Sequence, residues 1–188
     1  GDEAPATAAG SEASAIEKGL ELERSQMWSD AIRHYEAEAR KYPDSTTLYQ
    51  RLIISRLHFD VNRRYQDESY MAAVRTMSTN QALDLYSEIL ANLQTHYVES
   101  VDWQRVMIHG TAALEVALTE PRFTDRLLAT ADPAKIEHFR QTIHHHVKDR
   151  STSTRFDLRA NVAYVADLAA SQIGLSGTAT ALEFLSGA

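Results

Sequence analysis

Glycine and proline are almost missing from the middle of the chain, and this feature constrains the fold most strongly. Between Gly19 and Gly174 the only glycine is Gly110, and the prolines stand at positions 5, 43, 121 and 133. Because turns favour these two residue types, the segments between them should run for many residues without turning. Their apolar residues recur at helical spacing, and no long run of alternating β-branched residues interrupts them. The sequence therefore predicts an all-α fold of about nine or ten helices in antiparallel hairpins.

The most strongly patterned segment runs from Gln81 to Leu118, and we predict a central helical hairpin within residues 78–119. The first helix has one apolar stripe, formed by Ala82, Leu83, Tyr86, Ile89, Leu90, Leu93 and Tyr97. The stripe of the second helix is formed by Trp103, Val106, Met107, Gly110, Ala113, Leu114 and Ala117. A glycine inside a helix costs about 1 kcal/mol relative to alanine. We therefore assign Gly110 a structural role, in which a neighbouring helix approaches its backbone closely.

The N-terminal region combines an aperiodic leader with a helical pair. Residues 1–12 are small and polar, and we expect them to be disordered. Two helices are predicted next, over about 13–24 and 29–42. Five residues have the relative spacing of a tetratricopeptide repeat: Gly19, Trp28, Ala31, Tyr35 and Pro43. Residues 13–60 therefore resemble a tetratricopeptide-like hairpin region, in which Trp28 and Tyr35 would be structural residues between the helices.

The repeat pattern weakens after the first pair of helices. Glu38 stands where the repeat usually has alanine, and in the next helix, Thr46 to Phe59, Ile53 replaces an expected small residue. A peptide-binding array normally needs about three repeats, so a purely structural hairpin is the main alternative to a binding surface. If the concave face does bind a partner, the residues that would project from it are Ile16, Leu20, Arg24, Gln50 and His58.

Residues 132–188 predict C-terminal helices that complete a single all-α domain over residues 13–188. Asp132 followed by Pro133 is a typical helix start, and Gly174 suits the end of a helix over about 155–173. A short apolar helix is expected over 178–185. Upstream, Arg63 and Arg64 are either partner-binding cations or surface partners of Asp67 and Glu68.

A histidine cluster is the strongest candidate for chemistry, and it is a weak one. His144, His145 and His146 are adjacent, so on a helix they point in different directions. His138, His145 and Asp149 do share a helix face, but that face lies opposite the apolar stripe and should be solvated. We favour a polar, solvent-facing helix over a metal site. A metal-dependent all-α enzyme remains the third and least favoured hypothesis.

No other motif predicts catalysis or a cofactor. The sequence lacks cysteine and contains no phosphate-binding loop, dinucleotide fingerprint, HExxH motif or GxSxG elbow. We therefore predict no catalytic residue, no cofactor and no metal. A net charge of −7 argues against affinity for nucleic acid or an anionic membrane. No apolar run approaches the ~20 residues of a membrane helix, so the expected partner is a protein or peptide, without membrane insertion.

One resemblance to a known family covers the central hairpin. Its residues are Leu85-Tyr86, Ile89, Tyr97-Val98, Val101-Asp102, Gly110 and Leu114. This segment resembles the helical region before the PDZ domain of carboxy-terminal processing (tail-specific) serine peptidases. The family's leucine–aspartate–proline turn is replaced by Leu118-Thr119-Glu120-Pro121. The family's PDZ domain and Ser–Lys catalytic core contain β-structure that these residues do not predict, so no catalytic residue carries over.

The resemblance implies a non-catalytic N-terminal helical domain of a larger, exported peptidase-like protein. Such a domain would dock a substrate or adaptor or support the PDZ domain, and Tyr97 would be a structural residue. The resemblance alone implies a periplasmic or otherwise extracytoplasmic location. The alternative is a stand-alone tetratricopeptide-like adaptor for protein interaction.

Overall fold

The computed structural model describes residues 6–96 and 100–187, with side chains from residue 11 onward. Within these residues there are ten α-helices and no β-strand, which confirms the all-α prediction. The helices are α1 Ala6–Arg24, α2 Trp28–Lys41, α3 Thr46–Gln66, α4 Glu68–Thr76, α5 Thr79–His96, α6 Trp103–Ala117, α7 Pro121–Leu127, α8 Pro133–Asp149, α9 Arg155–Ile173 and α10 Gly177–Ser186. None of the described helices is both long and apolar enough to be a membrane span.

The chain divides into two compact units. Unit 1 comprises residues 1–60 and unit 2 residues 61–188, so the boundary falls within α3. Unit 1 contains α1, α2 and most of α3, and unit 2 contains the rest of α3 with α4 to α10. The single domain over residues 13–188 stays a prediction.

Helix α1 begins earlier than the sequence indicates. It starts at Ala6, so the predicted disordered leader is wrong for residues 6–12, while residues 1–5 lie outside the described part. The segment is rich in alanine, the best helix former. Its end is also tied to the rest of unit 1, because the Ser45 hydroxyl donates to the Glu12 carboxylate. Local propensity and this contact outweigh the missing periodicity.

The core of unit 1 depends on a glycine in α1. Helices α1 and α2 pack together, and their core includes Ala31, Tyr35, Ala39, Leu48 and Leu52. A Cβ atom added to Gly19 would lie 2.2 Å from Cζ of Tyr35. The Tyr35 ring therefore occupies space that only a glycine leaves open.

Unit 2 is built around α10 and not around a hairpin of α5 and α6. Helix α10 packs against α4, α5, α6 and α9, whereas α5 and α6 are not among the helices that pack extensively on each other. The two helices predicted within residues 78–119 are present as α5 and α6, while the centre of unit 2 is α10. All residues from 177 to 184 are buried. A helix that is buried on every side belongs in a core, and the small residues of α10 let several helices approach it.

The close neighbour of Gly110 is α10. A Cβ atom on Gly110 would lie 2.5 Å from the ring atom Cδ1 of Phe184 and 3.2 Å from the Phe184 carbonyl oxygen. Phe184 is fully buried. The glycine in α6 thus makes room for both the backbone and a large side chain of the central helix.

Helix ends follow the local sequence closely. The Asp132 side chain accepts from the backbone N–H of Ala134, and Pro133 opens α8. Gly174 ends α9 with a left-handed φ of 71°, which glycine adopts without strain. The predicted apolar positions of α9 are all buried: Leu158, Val162, Val165, Ala166, Ala169 and Ile173.

Candidate interaction surfaces

The five residues predicted to project from unit 1 have different environments. Arg24 is exposed and pairs with Glu17 at 3.0 Å, and Gln50 is also exposed. Ile16 is half-buried against the core, and Leu20 is half-buried as well. The His58 ring stacks on Trp28, with ring centroids 4.0 Å apart. Ile16 and His58 thus already pack against other residues of unit 1.

Trp28 is the first residue of α2 and is half-buried. Its ring is nearly parallel to that of His58, with an interplanar angle of 6°. The indole Nε1 is buried without a hydrogen-bond partner among the described residues. Trp28 therefore helps to hold α3 beside α2.

A buried carboxylate joins the three helices of unit 1. Glu23 on α1 accepts a 2.7 Å hydrogen bond from the Tyr35 hydroxyl on α2. It also accepts from Nε of Arg51 on α3 at 2.9 Å, and a second Arg51 nitrogen contacts the other carboxylate oxygen. Burial, together with the Glu23 carboxylate, raises the pKa of Tyr35. We call these three residues the Glu23 cluster.

Contacts within unit 1 define the direction of α3 relative to α1. Its start contacts α1 through Ser45 and Glu12, and its middle contacts α1 through Arg51 and Glu23. These contacts advance in the same direction along both helices, so α3 runs parallel to α1. The tetratricopeptide-like arrangement of this region stays a prediction.

The outer face of α3 carries exposed apolar side chains. Tyr49 is 45% exposed and Ile53 is 57% exposed, and the two lie one helical turn apart. The neighbouring face of the helix, about 100° around its axis, buries Leu48 and Leu52 in the core of unit 1. The substitution of Ile53 for a small residue, which weakens the repeat pattern, thus places an apolar side chain on the surface.

The histidine cluster lies on the surface of α8. His138, His145 and Asp149 are exposed, and no group of residues in the described part of the chain could hold a metal ion. The His144 ring makes a 2.9 Å contact with the Glu115 carboxylate. His146 stacks on Tyr164, and burial with the nearby Arg150 lowers its pKa.

Arg64 is half-buried in unit 2, where it reaches a carboxylate of the core. Its guanidinium donates to the Glu183 carboxylate of α10 at 2.7 Å, so its predicted pairing with Asp67 or Glu68 is wrong. Asp67 instead caps α4, and Glu68 pairs with Arg126. The prediction failed because a partner distant in the sequence is closer in the fold.

Glu183 is the centre of this second buried cluster. The Tyr65 hydroxyl donates to it at 2.7 Å, and the Glu183 side chain has no exposed surface. Burial raises the pKa of Glu183, against the opposing effects of Arg64 and Tyr65. Burial also raises the pKa of the neighbouring Tyr70 to about 12. We call Glu183, Arg64 and Tyr65 the Glu183 cluster.

The Glu183 cluster is a structural link in this conformation, because a solute cannot touch a carboxylate that has no exposed surface. Its signal in the sequence is a single carboxylate within the apolar run TATALEFL. A buried charge needs an opposite charge and hydrogen bonds. That requirement predicts a cationic partner for Glu183 without identifying Arg64.

Comparisons with protein-family models, curated proteins and solved structures give no match. Tyr97, the structural residue that contributes to the peptidase resemblance, lies outside the described residues. The relation to carboxy-terminal processing peptidases therefore stays a prediction.

Proposed function

We propose that this chain is a non-catalytic protein-interaction domain that binds an amphipathic helix of a partner protein on the outer face of α3. The observation that carries the proposal is the exposed apolar pair Tyr49 and Ile53 on the third helix of a repeat-like array. In such arrays the outer face of each helix pair is covered by the next helix along the chain. A partner helix would take that place.

The chemistry of this face favours a helical partner over an extended one. Two apolar side chains one turn apart match the spacing by which amphipathic helices dock, with anchors at i and i+4. The backbone of α3 is already hydrogen-bonded within the helix, so it offers no edge for an added strand. One turn beyond Ile53, Arg56 is engaged with Glu36 at 2.7 Å, so the proposed contact is mainly apolar.

This docking role is common to both functions expected from the sequence. In one, the chain is an accessory domain of a larger exported peptidase-like protein; in the other, it is a stand-alone adaptor. The gene sequence downstream of the codon for Ala188 distinguishes these two functions. A PDZ domain followed by a Ser–Lys core supports the first function, and a stop codon contradicts it.

Photo-crosslinking in the source cells tests the docking proposal. A photoreactive amino acid at position 53 should crosslink to a segment of one partner protein, whereas the same group at exposed position 33 on α2 should not. A synthetic peptide of the crosslinked segment should be helical when bound to the purified chain. Its binding should be lost in Tyr49→Asp and kept in Arg33→Asp.

Two outcomes would overturn the docking proposal. One is equal crosslinking from positions 53 and 33, which indicates nonspecific contact. The other is crosslinking of position 53 only to a second copy of this chain, which indicates self-association. The melting temperatures of both aspartate variants, measured in parallel, separate lost binding from lost folding.

A further inference from the structure

Helix α9 exposes two aromatic side chains in unit 2. Phe156 is 68% exposed and Tyr164 is 46% exposed. Ala160 lies midway between them and is also exposed. With a rise of about 1.5 Å per residue, the two aromatic positions lie about 12 Å apart along the helix. We call Phe156, Ala160 and Tyr164 the α9 surface.

Each aromatic ring carries an arginine on its face. The guanidinium carbon of Arg155 lies 4.5 Å from the centroid of Phe156, and that of Arg150 lies 5.5 Å from the centroid of Tyr164. A guanidinium stacked in this way keeps its N–H groups available for a carboxylate. Among the described residues neither arginine forms an ion pair with an acidic side chain.

A small notch adjoins the Phe156 end of this surface. It has a volume of about 190 Å³ and is lined by Ser87, Arg155, Phe156 and Arg159. Arg159 already pairs with Asp84 at 2.8 Å, and the Ser87 hydroxyl donates to a backbone carbonyl of its own helix. Arg155 is therefore the charge in the notch that remains available to a ligand.

The acidic residue nearest to Arg155 in the sequence is also engaged. Asp157 caps α9: it accepts hydrogen bonds from the backbone N–H groups of Ser153 and Thr154. The hydrogen bond from Thr154 lowers the pKa of Asp157. Two available arginines, Arg150 and Arg155, thus flank the α9 surface on a chain whose net charge is −7.

We propose that the α9 surface binds an acidic segment of a partner protein, whose two carboxylates are spaced like Phe156 and Tyr164, about 12 Å apart along the helix, on either side of an apolar residue. One carboxylate would bind Arg155 at the notch and the other Arg150, while the apolar residue contacts Ala160. Charge complementarity selects this partner. A membrane or nucleic acid presents a continuous anionic surface that would also face the exposed Asp149 and Asp167, whereas a segment with two separate carboxylates can be placed on the two arginines alone.

Two synthetic peptides test the proposal on the full chain. The first is a 17-residue alanine-based helix with two glutamates eight residues apart and a leucine midway between them. The second has glutamine in place of both glutamates. Fluorescence anisotropy should show binding of the glutamate peptide that weakens with added salt, and at least tenfold weaker binding of the glutamine peptide. Equal affinity for the two peptides would overturn the proposal.

Three variants locate the binding site. Arg155→Gln and Arg150→Gln should each weaken binding of the glutamate peptide by about fivefold, the size expected for one exposed ion pair. Arg122→Gln on α7 removes the same charge from another exposed position and should change nothing. Loss of binding in Arg122→Gln equal to that in the other two variants would show only a general effect of charge.

Vesicles and nucleic acid complete the test. Phosphatidylserine vesicles and a single-stranded oligonucleotide should bind more weakly than the glutamate peptide at the same salt concentration. Tighter binding of either one, lost in Arg155→Gln, would overturn the assignment of a protein partner. Because the variants change exposed or half-buried side chains that form no ion pair among the described residues, their circular dichroism melts should coincide with that of the wild type.

Discussion

Units 1 and 2 each bury a glutamate with one arginine and one tyrosine, yet the two clusters differ in how completely the polar atoms are paired. In both clusters the tyrosine hydroxyl lies 2.7 Å from the carboxylate. Arg51 contacts both oxygens of Glu23. Arg64 contacts Glu183 through one terminal nitrogen, and its Nε is buried without a partner among the described residues.

The better-paired cluster, in unit 1, is also the more exposed to solvent. The side chain of Glu23 is 8% exposed and that of Arg51 is 30% exposed, against 0% for Glu183 and 19% for Arg64. Desolvation of a charge is costly unless hydrogen bonds replace the lost water. The same three residue types thus form a well-paired clamp in unit 1 and an incompletely paired link in unit 2. The two clusters differ in the number of hydrogen bonds that the arginine donates to the carboxylate and in the access of water to both side chains.

The largest difference is expected when each carboxylate is removed. Glu183→Ala should lower the free energy of unfolding of unit 2 by about 3–5 kcal/mol, because Arg64 is left buried without an opposite charge. Glu23→Ala should cost less, because water can reach Arg51. Urea titrations can follow each unit through its own tryptophan, Trp103 or Trp28, with the other replaced by phenylalanine. A larger loss for Glu23→Ala would contradict the comparison.

The next largest effect is expected where α6 packs against α10, the central helix of unit 2. Gly110→Leu should lower the free energy of unfolding by about 3 kcal/mol, because the new side chain collides with the ring and backbone of Phe184. His109→Leu adds the same side chain at an exposed position of α6 and is the control. Thermal melts measure both variants. An unchanged melting temperature for Gly110→Leu would show that α6 and α10 can separate at little cost.

The sites of the Gly110→Leu and Glu183→Ala variants also show which features of the fold the sequence could predict. The need for a close neighbour at Gly110 follows from one glycine in an apolar stripe, and helix starts such as Asp132 follow from local capping chemistry. The identity of that neighbour does not follow. Helix α10 is short and follows nine other helices, and Arg64 and Glu183 are 119 positions apart. Periodicity describes one helix at a time and does not specify which helices meet.

The same limit applies to the candidate surfaces. The pattern of α9 correctly predicts its buried side, but the stacking of Arg150 on Tyr164 joins the end of one helix to the middle of the next. Ile53 was expected to weaken a repeat, and its exposure depends on whether another helix covers α3. Surface function thus depends on tertiary neighbours that local sequence does not contain.

A smaller effect is expected when the charge of Glu23 is removed and its shape is kept. Glu23→Gln should cost about 1–2 kcal/mol, because an oxygen can still accept from Tyr35 while the charge-assisted bonds to Arg51 are weakened. Glu17→Gln is the matched control on the same helix, since Glu17 pairs with Arg24 at the exposed surface. Urea titration should show a loss near zero for that control. Equal losses would show that burial adds nothing to the Glu23 cluster.

The smallest expected effect, counted per pH unit, is a dependence of stability on pH that is specific to Glu183. Because folding raises its pKa, folded unit 2 holds the proton more tightly than the unfolded chain. The stabilisation from this group is therefore full below the unfolded pKa, about 4.5, and is lost as the pH rises through the folded pKa. One proton limits the slope to about 1.4 kcal/mol per pH unit.

The difference in unfolding free energy between wild type and Glu183→Gln isolates the contribution that protonation of Glu183 makes to stability. Measured through Trp103 from pH 5 to pH 8, wild-type stability should fall relative to that of the glutamine variant. Glu88→Gln, at an exposed position of α5, controls for the loss of one carboxylate and should run parallel to the wild type. A relative gain in wild-type stability with rising pH would mean that Arg64 and Tyr65 outweigh desolvation. The Glu183 cluster would then be as well paired as the Glu23 cluster, and the contrast between the units would disappear.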